Sequence, residues 1–594
     1  MRRPWIGIGG AAGVFAAAVV VGAGPLRHVD LVDALGGDAG SSLAAVRAFA
    51  ADNWRLPFLS TARLRGTDGR PAVVGLIDGV PLLALAARLV PLGAGRWMQA
   101  WYAGCLVAQG LAAGAIARAL DLRRLAVGAA LIAMFVASPV LLVRVVHPGL
   151  FAQWTLLAAW AAAIRWWRRD DRRALAVLPV LALVALLAHP YLWLMVVTLV
   201  LAVAVDAAAR HRLGWSAAGG LAAATIGASA AVFAAGGYLA GGGSPAGGYG
   251  AFGMPLASPV WPQRSGILGQ PFLTNSTGSI EGFNSWGLGA TVLVVVSLAL
   301  GRDAWRRSVE RLQVVAAVLA VTTAVAVTPV IYVVSSRPLR PFGATIDDVL
   351  SRTGVAKMGV AAAAAVIASL ATLALRPRAR RWIPALATVA AGGAAIALAA
   401  IAAPALLRTS LGTFRSSGRL FWVVTPGVMS LAALALDRWI AEQRPGGARP
   451  VAAARSRRLI EAVAVVALVV QIVDARHFLT ESTDRLVTSA SRSADLRAMA
   501  REIRSSEAVH LPGVWQCADG QEGLGRFQDV VIAATLAERP IDNVYEGRLR
   551  APTCPVPIEV SRRPGVITAI IDDAAPVNGA TCRAVGGVRW CRIE

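Results

Sequence analysis

The chain has 594 residues, of which 56% are hydrophobic and only 15% charged, where soluble domains carry roughly 25%. That balance excludes an ordinary soluble protein, and apolar runs of crossing length recur as far as residue 475, so the chain reads as a polytopic membrane protein. The net charge of +24 does not call for nucleic acid: from Arg476 onward fifteen basic side chains balance fifteen acidic ones, and the excess lies in clusters of the apolar half that follow the positive-inside rule.

In chain order, MRRPW opens onto an apolar run, residues 6–25, read as an uncleaved first span with a cytoplasmic amino terminus. The loop that follows contains GGDAGSSLAAVRAFADNW. Leu43, Val46, Phe49 and Ala50 recur there at helical spacing, which predicts a short amphipathic helix on the membrane interface. Asp38 stands at its start, as a plain helix cap or as a functional carboxylate. The next apolar piece, 75–93, is broken early by Asp78, Gly79 and Pro81. If it does not cross, the basic clusters at 118–124, 165–173, 210–212, 301–307, 376–381 and 438–458 all fall on one side. It is therefore read as re-entrant or interfacial, which sets Asp78 on the same side as Asp38.

Thirteen spans result: 6–25, 96–117, 125–145, 149–165, 174–188, 190–206, 214–238, 286–300, 312–335, 355–375, 382–404, 421–438 and 458–475. The fold class is mostly α. A membrane domain, 1–475, has external loops at 26–95, 239–285, 336–352 and 405–420. A small external α+β domain follows at 476–594. Of five cysteines, Cys517, Cys554, Cys582 and Cys591 gather in that domain, which suggests two disulfides of open pairing and an oxidising compartment; Cys105 lies in an apolar run.

Three external stretches carry further polar groups. AHPYLW predicts a tight turn at His189 and Pro190, with His189 either a turn residue or a pocket residue. STGSIEGFNSWGLG sets Glu281 and Asn284 just before an apolar run, as caps or as contacts to a sugar or phosphate. LRTSLGTFRSSGRLFWVV holds Arg415 and Arg419 four apart, on one face if helical, where guanidinium forks suit a phosphate or pyrophosphate headgroup. Salt bridges to Asp38, Asp78 or Glu281, or the binding of ordinary anionic lipid, are the plainer uses of the same arginines.

External carboxylates beside external arginines suit chemistry on a lipid-linked phosphate. GGDAGSSLAAVRAF, IDGVPLLALAARLVPL, AHPYLWLM, YGAFGMPLASPVWPQ, SIEGFNSWGLG and FRSSGRLFW together resemble the integral membrane glycosyltransferases of the C superfamily. More closely, they resemble a bacterial family of multipass membrane proteins often set beside them. The resemblance implies a polyprenyl-phosphate sugar donor and a plasma-membrane enzyme acting on the external face. It implies that Asp38 is the catalytic base or a ligand to a divalent cation, with Asp78 or Glu281 as further ligands. Asp78, His189, Glu281, Asn284, Arg415 and Arg419 would line the substrate pocket. Many members carry paired acids in this loop, whereas Asp38 has Gly37 and Ala39 as neighbours, with Asp30 and Asp33 upstream. A transporter or flippase of a lipid-linked glycan and a non-catalytic envelope-assembly protein are the other two readings. The transporter would need paired broken helices, and only one interrupted segment is visible.

Overall fold

The computed structural model describes residues 4–22, 35, 37–66, 68–239, 253–261, 265–269, 282–327, 331–332, 338–339, 382–402, 416–442, 450–486, 490–512, 520–544, 559–571 and 579–593. Helix α1 (Trp5–Ala17) ends in a π-turn over Ala18–Gly22. The first loop then forms α2 (Gly37–Ala50), the antiparallel pair β1 (Ser60–Arg65) and β2 (Pro71–Val73), and α3 (Pro81–Leu89). Nine residues make α3 about 13 Å long, too short to cross a hydrocarbon core of about 30 Å.

The bundle continues with α4 (Ala94–Ala119), α5 (Leu125–Val136) and α6 (Pro139–Val143), which runs into a 3-10 turn at Arg144–Val146. Pro139 lacks the N–H that would continue α5, so the helix breaks there. Next come α7 (Trp154–Arg169), α8 (Arg172–Ala188), α9 (Pro190–Ala209) and α10 (Trp215–Gly236). Then follow α11 (Leu288–Leu300), α12 (Arg302–Arg311), α13 (Gln313–Val327), the two-residue strands β3 (Ile331–Tyr332) and β4 (Pro338–Leu339), and α14 (Ile383–Ala402). A 3-10 helix at Ser417–Val423 leads into α15 (Val424–Glu442), and α16 (Pro450–Leu486) runs unbroken past residue 475.

Six of the described helices are long and apolar enough to cross a membrane, or seven if the α11–α12 pair, bent by 93°, counts as one. The chain is thus a polytopic helical bundle with a small mixed domain. Some of the expected spans are shorter as helices than as apolar runs. The apolar runs 149–165 and 174–188 became helices of 16 and 17 residues, about 24–26 Å, and 312–335 became one of 15. Residues 355–375 lie outside the described residues.

Small residues set a close contact between α1 and α4. Gly9 and Gly13 of α1 face Gly110 and Gly114 of α4, and a Cβ at Gly13 would stand 2.6 Å from the Leu106 carbonyl oxygen. Two small-xxx-small faces thus bring the backbones together, as membrane helices do when packing replaces hydrophobic drive. Trp5 closes the pair by donating its indole N–H to the Leu122 carbonyl at 3.0 Å.

The basic clusters gather at one end of the bundle. Arg168 and Arg169 bridge Asp121, Arg212 donates to the Trp167 carbonyl at 3.0 Å, and Arg124 lies 3.8 Å from Glu461. The cluster at 376–381 lies outside the described residues. At the other end sits α2, beneath the carboxy-terminal domain.

That domain comprises α17 (Ala490–Ile503), β5 (Ala508–His510), α18 (Gly520–Leu536), β6 (Val566–Ile570), β7 (Thr581–Val585) and β8 (Val588–Arg592). Its sheet runs β5-β6-β8-β7, with β5 and β6 parallel and the rest antiparallel. Ile541 bridges Leu64 of β1 and Val509 of β5, which fuses the first loop to the domain. Cys582 and Cys591 face each other across β7 and β8 and form a disulfide, Cys105 is a buried free thiol, and Cys517 and Cys554 lie outside the described residues.

The interfacial placement predicted for α2 does not hold. Leu43, Val46 and Phe49 are buried as expected, but so are Ala44, Ala45 and Ala48 on other faces. The reason is α18, which roofs the helix: a Cβ on Gly40 would stand 2.8 Å from the Ile532 Cδ1.

Candidate functional site

Asp38 lies in the first turn of α2, where the helix dipole favours an anion. Its carboxylate does not turn back to its own helix alone. Oδ2 stands 3.1 Å from His147 Nδ1, and Oδ1 accepts from Gln528 Nε2 at 3.1 Å. The side chain keeps 35% of its exposure and His147 keeps 19%, so the pair is partly open. At that distance an imidazole Nδ1–H can donate to the Asp38 carboxylate.

The segment Arg144–Gly149, between α6 and α7, is the hub of this end. Tyr102 donates its hydroxyl to the Val145 carbonyl at 2.5 Å, and Trp101 donates to the Pro148 carbonyl at 2.8 Å. Gly149 has to be glycine, because a Cβ would meet the Ala188 carbonyl oxygen at 2.9 Å and the His189 ring at 3.0 Å. Arg144 is 1% exposed and its guanidinium lies 5.5 Å over the Trp422 ring. Three residues before Trp422, the buried Arg419 lies 4.9 Å over the Tyr191 ring. Tyr191 in turn accepts the Ser416 N–H at 2.8 Å. A cation over an aromatic face keeps its charge at modest desolvation cost. Two guanidinium groups and one Asp–His pair are thereby held on the same few segments.

His189 caps α9, its Nδ1 accepting the Tyr191 N–H at 3.2 Å, with Pro190 at the first helical position. It touches the hub at Gly149, and its ring lies 5.6 Å from that of Tyr191. Asp78 stands in a left-handed turn, φ 55°, ahead of α3. Its neighbour Gly79 meets Ala45, two turns and about 10 Å along α2 from Asp38. Asn284 is buried and donates to the carbonyls of Gly282 and Gly418 at 2.9 and 3.0 Å, so it ties a loop to the 3-10 helix at Ser417–Val423. Glu281 and Arg415 lie outside the described residues, and with Arg415 goes the expected shared face with Arg419.

A divalent cation held by protein alone needs more donors than the described residues of this site offer. Among the described residues no three His, Cys, Asp or Glu side chains gather, and Asp38 with His147 supplies two.

Arg144, His147 and Gln528 escaped sequence reasoning. One signal was present: His-Pro occurs at 147–148 as at 189–190, each at the end of an apolar run. A second His–Asp pair, His510 Nδ1 to Asp542 Oδ2 at 2.8 Å, faces an open cleft of about 1090 Å³ between β1 and the carboxy-terminal sheet. Asp542 also accepts the Leu511 N–H at 2.9 Å, which pins the end of β5.

The profile of the family described as Domain of unknown function (DUF6311) matches residues 10–391, and the chain belongs to that family. The match takes in Asp38, Arg144, His147 and His189 and stops before Arg419 and Gln528. No curated protein and no solved structure matches the chain.

Proposed function

We propose that this chain is an integral membrane glycosyltransferase. It moves a sugar from a polyprenyl-phosphate donor to a glycan or lipid acceptor of the cell envelope, at the external face of a bacterial plasma membrane. The supporting observation is the Asp38–His147 pair, 3.1 Å apart and partly open, at the end of the bundle that also holds the guanidinium groups of Arg144 and Arg419.

In this reading Asp38 takes the proton of the acceptor hydroxyl, and His147 fixes the carboxylate through Nδ1. The hydroxyl oxygen bonds to the anomeric carbon as the bond from that carbon to the phosphate oxygen breaks. The electron pair leaves with the phosphate, where Arg419 and Arg144 offset the growing charge. Glu281 and Arg415 belong to the same pocket in this proposal. The basic end of the bundle faces the cytoplasm by the positive-inside rule, which sets Asp38 outside, and thirteen crossings remain the proposed count.

The test is D38N in purified protein with a polyprenyl-phosphate sugar. Asn keeps the size and can still hydrogen-bond Gln528, but it cannot take the proton. Transfer is expected to fall roughly 100-fold or more, with donor binding and melting temperature held. Wild-type turnover in D38N would remove the base from this position.

A further inference from the structure

Opposite the Asp38 end, two cavities meet. The first is a slot of about 440 Å³ among α7, α9, α13 and α15, walled by Trp160, Ile164, Val315, Leu319 and Leu431. That volume is typical of a ligand pocket. The second is an open basin of about 1000 Å³. The two share Arg168, Arg311 and Arg438 as a common rim, with Leu120 and Leu434 beside them.

The basin is strongly basic. Besides the rim it carries Arg118, Arg123, Arg169 and Arg307, against Asp121 and Asp437 among the described residues. Both acids are already engaged. Asp437 accepts the backbone N–H groups of Arg123 and Arg124 at 3.0 and 2.8 Å, at the start of α5, and Asp121 is bridged by Arg168 and Arg169. The basin thus keeps a large positive excess. Within the slot, Asp206 is paired with Arg210 at 2.9 Å.

The geometry also marks a membrane surface. Helix α12 turns 93° from α11 at Gly301, so it lies across the bundle end rather than along it. Its sequence RDAWRRSVER is the kind that rests at a headgroup layer, and it supplies Arg307 and Arg311 to the basin. The slot descends from that plane into the apolar bundle.

We infer that slot and basin together bind one phosphate-headed lipid, its headgroup in the arginine basin and an apolar chain in the slot. Charge complementarity selects the anionic head. A basin alone would serve any phosphate, but the joined apolar slot selects an amphiphile. A positive-inside cluster alone needs no walled slot. The site lies at the end away from Asp38, so it stands or falls separately from the proposed transfer.

The test is a titration of the full chain in detergent, followed by native mass spectrometry. The probes are phosphatidylglycerol, phosphatidylcholine and inorganic phosphate. One phosphatidylglycerol is expected to be retained, roughly tenfold tighter than phosphatidylcholine, and not displaced by millimolar phosphate. R307Q/R311Q, at two exposed positions, is expected to weaken retention roughly tenfold with the melting temperature unchanged. A316F, which fills the slot wall, is expected to weaken the lipid without changing the response to phosphate. Equal retention of the two lipids by the wild type would overturn the inference, and needs no variant. Displacement by phosphate, or full retention in A316F, would reduce the site to an anion basin and overturn the lipid assignment.

Discussion

His147 Nδ1 lies 3.1 Å from Asp38 Oδ2, joining the segment between α6 and α7 to the first turn of α2. The imidazole therefore sets the direction of the carboxylate. H147A is expected to lose roughly 10- to 100-fold of the transfer proposed above, less than D38N loses. H147N, whose amide nitrogen can replace the Nδ1 donor, is expected to recover part of it. Turnover of the two variants measured beside D38N checks this. Equal activity in H147A and wild type would leave Asp38 without need of the histidine.

The α1–α4 crossing gives a stability prediction. A Cβ on Gly110 would run into the Gly9 carbonyl oxygen, which is backbone and cannot swing away. G110A is expected to lower stability by about 1–3 kcal/mol, and G110L to prevent α1 from docking. Melting in detergent checks both. G104A, where a Cβ meets nothing within 4 Å, is the control and should be neutral.

Asp52 gives a pH prediction. Burial pushes its pKa up, but it accepts from the N–H groups of Ala62 and Asn53, from the Thr61 hydroxyl and from Arg55, and these bring it below its ordinary 3.8. A lowered folded pKa stabilises above the unfolded value and is lost as pH falls through the folded one. Stability from this group is therefore expected to be level above about pH 4 and to decline below it. D52N should flatten that acid decline while lowering stability at neutral pH by about 1–3 kcal/mol. Unfolding curves of the two proteins between pH 7 and pH 3 check it.

The proposed orientation gives a fourth. A reporter at Gly447 is expected to read cytoplasmic, and one at Gly520, in the carboxy-terminal domain, external. Labelling of Gly447 by a reagent applied to intact cells would reverse the assignment.

What the sequence revealed follows the range of the forces involved. The helix at Asp38 was legible because Leu43, Val46 and Phe49 repeat with helical period. The gathering of basic clusters at one end was legible because Arg118, Arg168 and Arg307 stand at the ends of apolar runs. The burial of α2 was not legible, since α18 is nearly 500 residues away and no local pattern announces its arrival. The partners of Asp38 stayed hidden for the same reason. His147 falls between the expected spans 125–145 and 149–165, and Gln528 falls in the polar tail. Asp38 could be picked out as a candidate from the sequence, but not the groups that contact it.

The bond from Gln528 to Asp38 joins residues 490 positions apart. A ribosome adding roughly 5–20 residues per second needs about 25 to 100 s to travel between them. Through that interval α2 has emerged and its roof does not yet exist. Leu43 and Phe49 must wait beside the growing bundle, covered from one side only. A chain that stops anywhere before residue 528 leaves Asp38 with one of its two holders missing. The pair of bonds that holds the Asp38 carboxylate thus closes only after residue 528 has been added.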